Sequence, residues 1–154
     1  MEKQKWAIFD LDGTIADISY RLNKSTVNGK LDYKKLHDPL LMQFDKPIKK
    51  TIALIKNLSK FKVKIFILTA RFDSTEKVTV KWLDKHEAYF DELIMKSKKD
   101  IYVRSDQWKE KQMHIFMEKQ DVAYEQIILS SDDYGKNQTM FESWGIPCLD
   151  PNAL

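Results

Sequence analysis

The sequence predicts an α/β protein: a parallel sheet of five strands covered by helices on both faces. Three observations point there. Short apolar runs alternate with longer amphipathic ones, the pattern of strand–helix–strand units. A length of 154 residues suits one compact domain. Acidic or hydroxyl residues follow directly on three of the apolar runs, at the edge where open sheets of this kind bind ligands.

The elements follow in order. Lys5 to Phe9 reads as a buried strand that ends at Asp10. Pro47 to Lys60 carries apolar residues at Ile48, Ile52, Ile55 and Leu58, a helical spacing, with Pro suited to the first turn. Val63 to Leu68 is a second strand. Asp73 with Glu76 reads as a capping box opening a helix through Val78, Trp82 and Leu83. Leu93 to Met95 is a short third strand, and Asp106 to about Gln120 is helical. Ile127 to Ser131 is the fourth strand. A helix through Met140 and Trp144 stops at Gly145, and Ile146 to Leu149 is the fifth strand. Residues 1–154 therefore form a single domain, with 15–45 as a small insert. That insert has room for a loop or a short helix at most. Its aromatic residues Tyr20, Tyr33 and Phe44 either pack it against the core, which is the favoured reading, or offer faces on which a base can stack.

Composition narrows the class. Hydrophobic residues make up 43% and charged residues 32%, ordinary for a globular protein. The formal charge of +3 permits a phosphate-bearing partner without demanding one. One cysteine, Cys148, excludes an internal disulfide and reads as a small core residue. With no signal peptide and no apolar run long enough to span a bilayer, the expectation is a cytoplasmic protein with no membrane partner. No Gly-x-x-x-x-Gly-Lys-Ser/Thr element occurs, which excludes a fused kinase in this chain.

The chemistry gathers after the strands. Asp10 and Asp12 follow the first, Thr69 and Arg71 the second, Asp132 and Asp133 the fourth. Four carboxylates at one edge repel each other by several kcal/mol per close pair, by order of magnitude. A divalent cation relieves this. Oxygen donors without a His/Cys cluster favour Mg²⁺ over Zn²⁺. Such a metal also neutralises a phosphate ester, so that a carboxylate can approach it.

Asp10-Leu11-Asp12-Gly13-Thr14 after a hydrophobic strand resembles the first motif of the haloacid dehalogenase (HAD) superfamily. Thr69-Ala70-Arg71 resembles its second motif and Asp132-Asp133 its fourth, in the right order and covering nearly the whole chain. The resemblance implies a three-layer α/β/α, Rossmann-like fold with a minimal cap, and a phosphatase. It implies that Asp10 attacks phosphorus to form an aspartyl-phosphate. Asp12 then protonates the leaving oxygen and later activates water, its backbone carbonyl also reaching the metal. Thr69 holds a phosphoryl oxygen, with Gly13, Thr14 and Ala70 beside the substrate. Asp10, Asp12, Asp132 and Asp133 hold Mg²⁺, and which of the last two binds it directly stays open.

The family's third motif needs a lysine, and Lys109 and Lys111 both qualify. At about 100° per residue, Trp108, Met113, Ile115 and Phe116 mark a buried helix face. Lys109 lies nearer its centre, so it is preferred as the motif lysine, and Lys111 is carried as a substrate contact. Within the superfamily the chain is most similar to the 3′-phosphatase domains of bacteriophage-type polynucleotide kinases. Arg21, Arg71, Arg104 with Asp106, and Trp144-Gly145-Ile146 fall where those domains carry like residues. Arg21 and Arg71 are then substrate-binding, since a guanidinium can fork a phosphate. Ala70 and Tyr134 depart from the common pattern. A small insert leaves the site open, which suits a phosphorylated nucleic acid end. A 5′(3′)-nucleotidase acting on nucleoside monophosphates is the near alternative, and a non-catalytic phosphate-binding module the alternative from another class.

Overall fold

The computed structural model describes all 154 residues. Five strands, β1 (Trp6–Phe9), β2 (Lys64–Phe72), β3 (Glu92–Lys96), β4 (Ile127–Ser131) and β5 (Cys148–Leu149), make one parallel sheet in the order β3-β2-β1-β4-β5. The chain winds outward from β1 to one side, returns, and continues on the other. The C-terminal end of β1 is therefore a topological switch point, where open α/β sheets hold ligands.

Four helices cover the sheet: α2 (Lys49–Lys60), α3 (Glu76–Lys85), α4 (Ser105–Gln120) and α5 (Gly135–Ser143). A shorter one, α1 (Ser19–Ser25), precedes them in the insert. Side chains alternate across each strand. Ala7 and Phe9 of β1 join Ile65 and Ile67 of β2 in a core closed by Ile52 and Ile55 of α2 and by Trp82 and Leu83 of α3. Trp6, Ile8, Phe66 and Leu68 face the other way, onto Trp108, Met113 and Phe116 of α4 and Phe141 of α5. Both faces of β1 are buried, which is why it reads as an unbroken apolar run. The three-layer α/β/α fold is as the sequence predicts. Gly145, at φ +76°, ends α5's chain direction where expected. No helix is long and apolar enough to cross a membrane.

Several local expectations change. Strand β2 runs on to Phe72, so Thr69, Ala70 and Arg71 lie within it, and its pairing with β3 shifts register between Thr69 and Phe72. Polar residues there looked like a strand end; in the fold Thr69 and Arg71 are buried with partners. The capping box at Asp73 and Glu76 does not form. Residues Asp73–Thr75 make a 3₁₀ turn, and α3 starts without a side-chain cap. Cys148 is half-buried on β5, at the sheet edge.

The insert is richer than a loop or short helix. It leaves and returns through a neck in which Ala16–Asp17 pairs antiparallel with Lys46–Pro47. The Ile48 amide adds a 2.8 Å bond to the Ile15 carbonyl. Beyond the neck stand α1, a hairpin of Thr26–Val27 with Lys30–Leu31, and two helical turns, Tyr33–Leu36 and Pro39–Met42. Asp32 and Asp38 cap those turns through their side chains. Each piece is too short to show a hydrophobic period. The insert's aromatics do not pack into the core, since Tyr20, Tyr33 and Phe44 are 45%, 69% and 58% exposed.

Candidate active site

The end of β1 delivers Asp10, and its amide donates to the Ser131 carbonyl at 2.9 Å. That bond ties Asp10 to the end of β4 and so to Asp132 and Asp133. Lys109, one turn into α4, reaches the pair from the far side. Its Nζ donates to Asp10 Oδ1 at 3.0 Å and to Asp132 Oδ2 at 2.8 Å. Asp132 also accepts from Asn137 Nδ2 at 3.1 Å and from the Tyr134 amide at 3.0 Å. Lys109 is therefore the lysine at this site. Lys111 is exposed and away from it, because two residues turn the helix by about 200°.

Carboxylate oxygens of Asp10, Asp132 and Asp133 lie within 4.8 Å of one another. Gly13, at φ +79°, makes room for this group. A Cβ there would sit 2.1 Å from Asp133 Oδ2. A close all-oxygen cluster, with backbone cleared beside one member, fits a hard divalent cation. The Asp12 carboxylate is not part of the cluster.

Asp12 turns the opposite way. Its Oδ1 accepts from Arg71 Nε at 2.8 Å and from Arg21 Nη2 at 2.9 Å. Behind it lies Asp45, which the sequence reading missed. Asp45 accepts from Arg21 Nε at 3.2 Å, Arg21 Nη2 at 2.8 Å and Arg71 Nη2 at 2.8 Å. Arg21 Nη1 goes to the Leu36 carbonyl at 2.8 Å, and Arg71 Nη1 to Thr79 Oγ1 at 3.2 Å. The sequence offered both arginines as a fork for phosphate. The fold buries them, and their donors face Asp12 and Asp45 instead.

Ionisation follows this division. Burial pushes Asp10 well above the ordinary carboxylate range, Asp132 and Asp133 add to it, and Lys109 opposes. Burial and the neighbouring Asp132 raise Asp133 as well. At Asp12 burial acts upward too, but Arg71 and Arg21 together outweigh it and hold the carboxyl below its ordinary value. Burial disfavours the Lys109 ammonium, yet Asp10 and Asp132 overcome that and raise it. Two carboxyl groups two residues apart thus sit in opposite electrostatic settings, a common arrangement where acid–base roles are divided.

A cleft of about 290 Å³ opens over these groups, lined by Asp10, Asp12, Thr69, Ala70, Arg71, Ser105, Lys109, Tyr134, Asn137 and His37. Thr69 Oγ1 accepts from the Arg71 amide at 3.1 Å. Only His37 comes from the insert. Its ring tilts against Phe72, centroids 4.6 Å apart, and burial lowers its pKa so that it favours the neutral form. Thr14 is fully buried below the cleft rather than lining it. It sits in the tight Leu11–Ala16 turn, its hydroxyl oxygen buried without a hydrogen-bond partner. Asp45, His37 and Asn137 carry no sequence signal of their own, since none follows a strand in a recognisable motif.

A carboxylate cluster balanced by a lysine, at the carboxyl edge of a three-layer α/β/α sheet, is the class these features define. Residues 1–134 match the family model for HAD superfamily, subfamily IIIB (acid phosphatase), and the chain belongs to that family. By that family it is a HAD-type phosphatase. Among solved structures, a chain of the Pnkp1/Rnl/Hen1 RNA repair complex superposes with TM-score 0.71 at 21% identity. That match covers 95% of this chain and 42% of that one, so this chain spans less than half of its relative. A haloacid dehalogenase-like hydrolase from Streptococcus pneumoniae gives TM-score 0.70 at 17% identity, covering 94% and 83%. The class C acid phosphatase from Bacillus anthracis with tungstate bound gives 0.65 at 19%, covering 94% and 63%. At these identities the likeness establishes the fold. No curated protein matches the sequence.

Proposed function

We propose that this phosphatase is a Mg²⁺-dependent phosphomonoesterase that removes 3′-phosphates from nucleic acid ends through an aspartyl-phosphate on Asp10. The observation that carries the reading is the contact of Asp10 with Lys109 and the Asp132-Asp133 pair, in a cleft to which the insert contributes one side chain. Asp10, Asp132 and Asp133, with the Asp12 carbonyl, would hold Mg²⁺. Bound there, the ion would offset the carboxylate repulsion and draw charge from the phosphoryl oxygens.

In the first half-reaction an Asp10 oxygen bonds to phosphorus while the ester P–O bond breaks. Asp12 gives its proton to the leaving oxygen. Its two arginines favour the carboxylate, and the incoming phosphoryl charge counters them by raising its proton affinity. In the second, the Asp12 carboxylate takes a proton from water. The water oxygen bonds to phosphorus, the bond to Asp10 breaks, and inorganic phosphate leaves. Lys109 balances the charge of Asp10 in the resting site and of the phosphoryl group during transfer. Thr69 and Ala70 border the phosphoryl group. Arg21 and Arg71 fix Asp12 at its working position.

A slightly enclosed site suits a phosphate on a substrate too large to swallow. Cytoplasmic residence and a role at nucleic acid ends belong to the same proposal. Hydrolysis of 3′-phosphorylated DNA and RNA oligonucleotides, 5′-phosphorylated ones and nucleoside monophosphates, in Mg²⁺, tests it. Preference for 3′-phosphorylated strands is expected. Turnover of mononucleotides alone overturns the strand-end reading in favour of a 5′(3′)-nucleotidase.

A further inference from the structure

A groove of about 560 Å³ runs beside the active-site cleft, between the insert and α3. One wall is the helical turn Pro39–Met42 with Gln43 and Phe44; the other is α3, whose Lys77, Lys81 and Lys85 line it. These lysines are spaced four apart, so they form one stripe along the helix. The stripe extends about 12 Å, which is the rise of three to four stacked nucleotides at roughly 3.4 Å each. None of the three is engaged in an ion pair. No acidic residue lines the groove itself; Lys77 and Lys81 also border a neighbouring hollow that holds Asp84 and Glu87, neither of which pairs with them.

The groove has an aromatic side as well. Phe44 is 58% exposed at its rim and meets Tyr20, itself 45% exposed, edge-on at 6.0 Å. Lys24 Nζ lies 5.6 Å from the Tyr20 ring. Large apolar rings left in water beside uncompensated lysines are unfavourable in an isolated molecule, and they match a polyanion that carries flat bases.

The groove also adjoins the cleft. Phe72 separates them: its ring holds His37 on the cleft side, and its carbonyl accepts from Thr75 on the groove side at 2.8 Å. Trp82, in the groove, donates to the Asp45 carbonyl at 2.8 Å, and the Asp45 carboxylate holds the arginines of the cleft. A strand with its terminal phosphate over Asp10 can lie along this path.

We infer that the groove between the insert and α3 is a binding track for single-stranded nucleic acid, in which Lys77, Lys81 and Lys85 take backbone phosphates and Phe44 stacks on a base. It gives the proposed function its substrate-binding surface and rests on that reading.

The test uses a fluorescein-labelled ten-nucleotide strand with a 3′-hydroxyl end, followed by anisotropy against salt. Wild-type protein binds it. In the variant carrying Lys77→Gln, Lys81→Gln and Lys85→Gln, affinity falls at least tenfold and the salt slope drops by about two, from roughly 0.7 per lost phosphate contact. Phe44→Ala alone costs about tenfold. Turnover of p-nitrophenyl phosphate stays at the wild-type level in both, which shows intact protein, while KM for the 3′-phosphorylated strand rises in step with the lost affinity. Equal affinity in wild type and variants, or no binding by the wild type, overturns the track. Equal competition by polyglutamate overturns it too, because an acidic peptide has no bases to stack. Hydrolysis of 3′-phosphorylated strands with unchanged KM in the variants removes the track and leaves the strand-end reading. Lysine-dependent binding without hydrolysis of the 3′-phosphate leaves the track and removes that reading.

Discussion

Replacing Asp45 with Asn tests the network behind Asp12. The Asp45 side chain is fully buried and accepts three charge-assisted hydrogen bonds, two from Arg21 and one from Arg71. An amide of the same shape keeps one oxygen acceptor, but its NH₂ must face guanidinium groups that only donate. Two buried guanidinium charges are then left with Asp12 as their one carboxylate. Removing one partner of a buried pair costs about 3–5 kcal/mol, against a total stability of about 5–15 kcal/mol for a domain. With a urea slope near 2 kcal/mol per molar, the unfolding midpoint falls by about 2 M. Activity falls as well, since Asp12 loses the frame that orients it. Equilibrium urea unfolding by circular dichroism, with phosphatase assays at temperatures where the variant is folded, measures both. A loss under about 1 kcal/mol would refute the argument that Asp45 neutralises these arginines.

Three further outcomes are expected. Asp10→Asn abolishes hydrolysis of p-nitrophenyl phosphate in Mg²⁺ with little loss of thermal stability, because the nucleophile goes and the shape stays; residual turnover near wild type would sink the covalent mechanism. Gly13→Ala loses roughly 1–2 kcal/mol for a left-handed backbone with a Cβ and pushes Asp133 aside, so the Mg²⁺ concentration for half-maximal activity rises by an order of magnitude or so; an unaltered Mg²⁺ titration counts against a metal-binding Asp133. For His37, the folded pKa lies below the ordinary 6.5, so its share of stability is present above that pH and lost as pH falls through the folded value. Thermal melts from about pH 8 to about pH 5 should drop more steeply for wild type than for His37→Gln, and parallel curves would refute a half-buried imidazole held neutral.

The sheet, its five strands and the covering helices were legible in the sequence because the central strands are buried on both faces and the edge strands are partly buried. Burial writes itself as apolar runs, and the helices between them show their period. Asp10, Thr69 and Asp132-Asp133 were legible for a related reason: each falls where an apolar run ends, and parallel strands bring those ends to one edge. The choice of Lys109 over Lys111 also followed from helical geometry, and the structure puts Lys109 within 3.0 Å of Asp10.

What the chain could not announce by itself is how charges pair across distance. Arg21 and Arg71 looked like phosphate ligands, since a guanidinium reads the same whether it meets a phosphate or a carboxylate. Their burial against Asp12 and Asp45 depends on the insert folding back through its neck, which joins residues 24 and 26 positions apart. The insert's short capped turns left no periodicity, and its aromatics were placed at the surface by a packing decision that no local pattern records. Sequence determined the fold class and the strand-end carboxylates, because both depend on local burial. Only the tertiary structure decided which charges neutralise one another and which lysines and rings are left facing water, because those depend on contacts between distant segments.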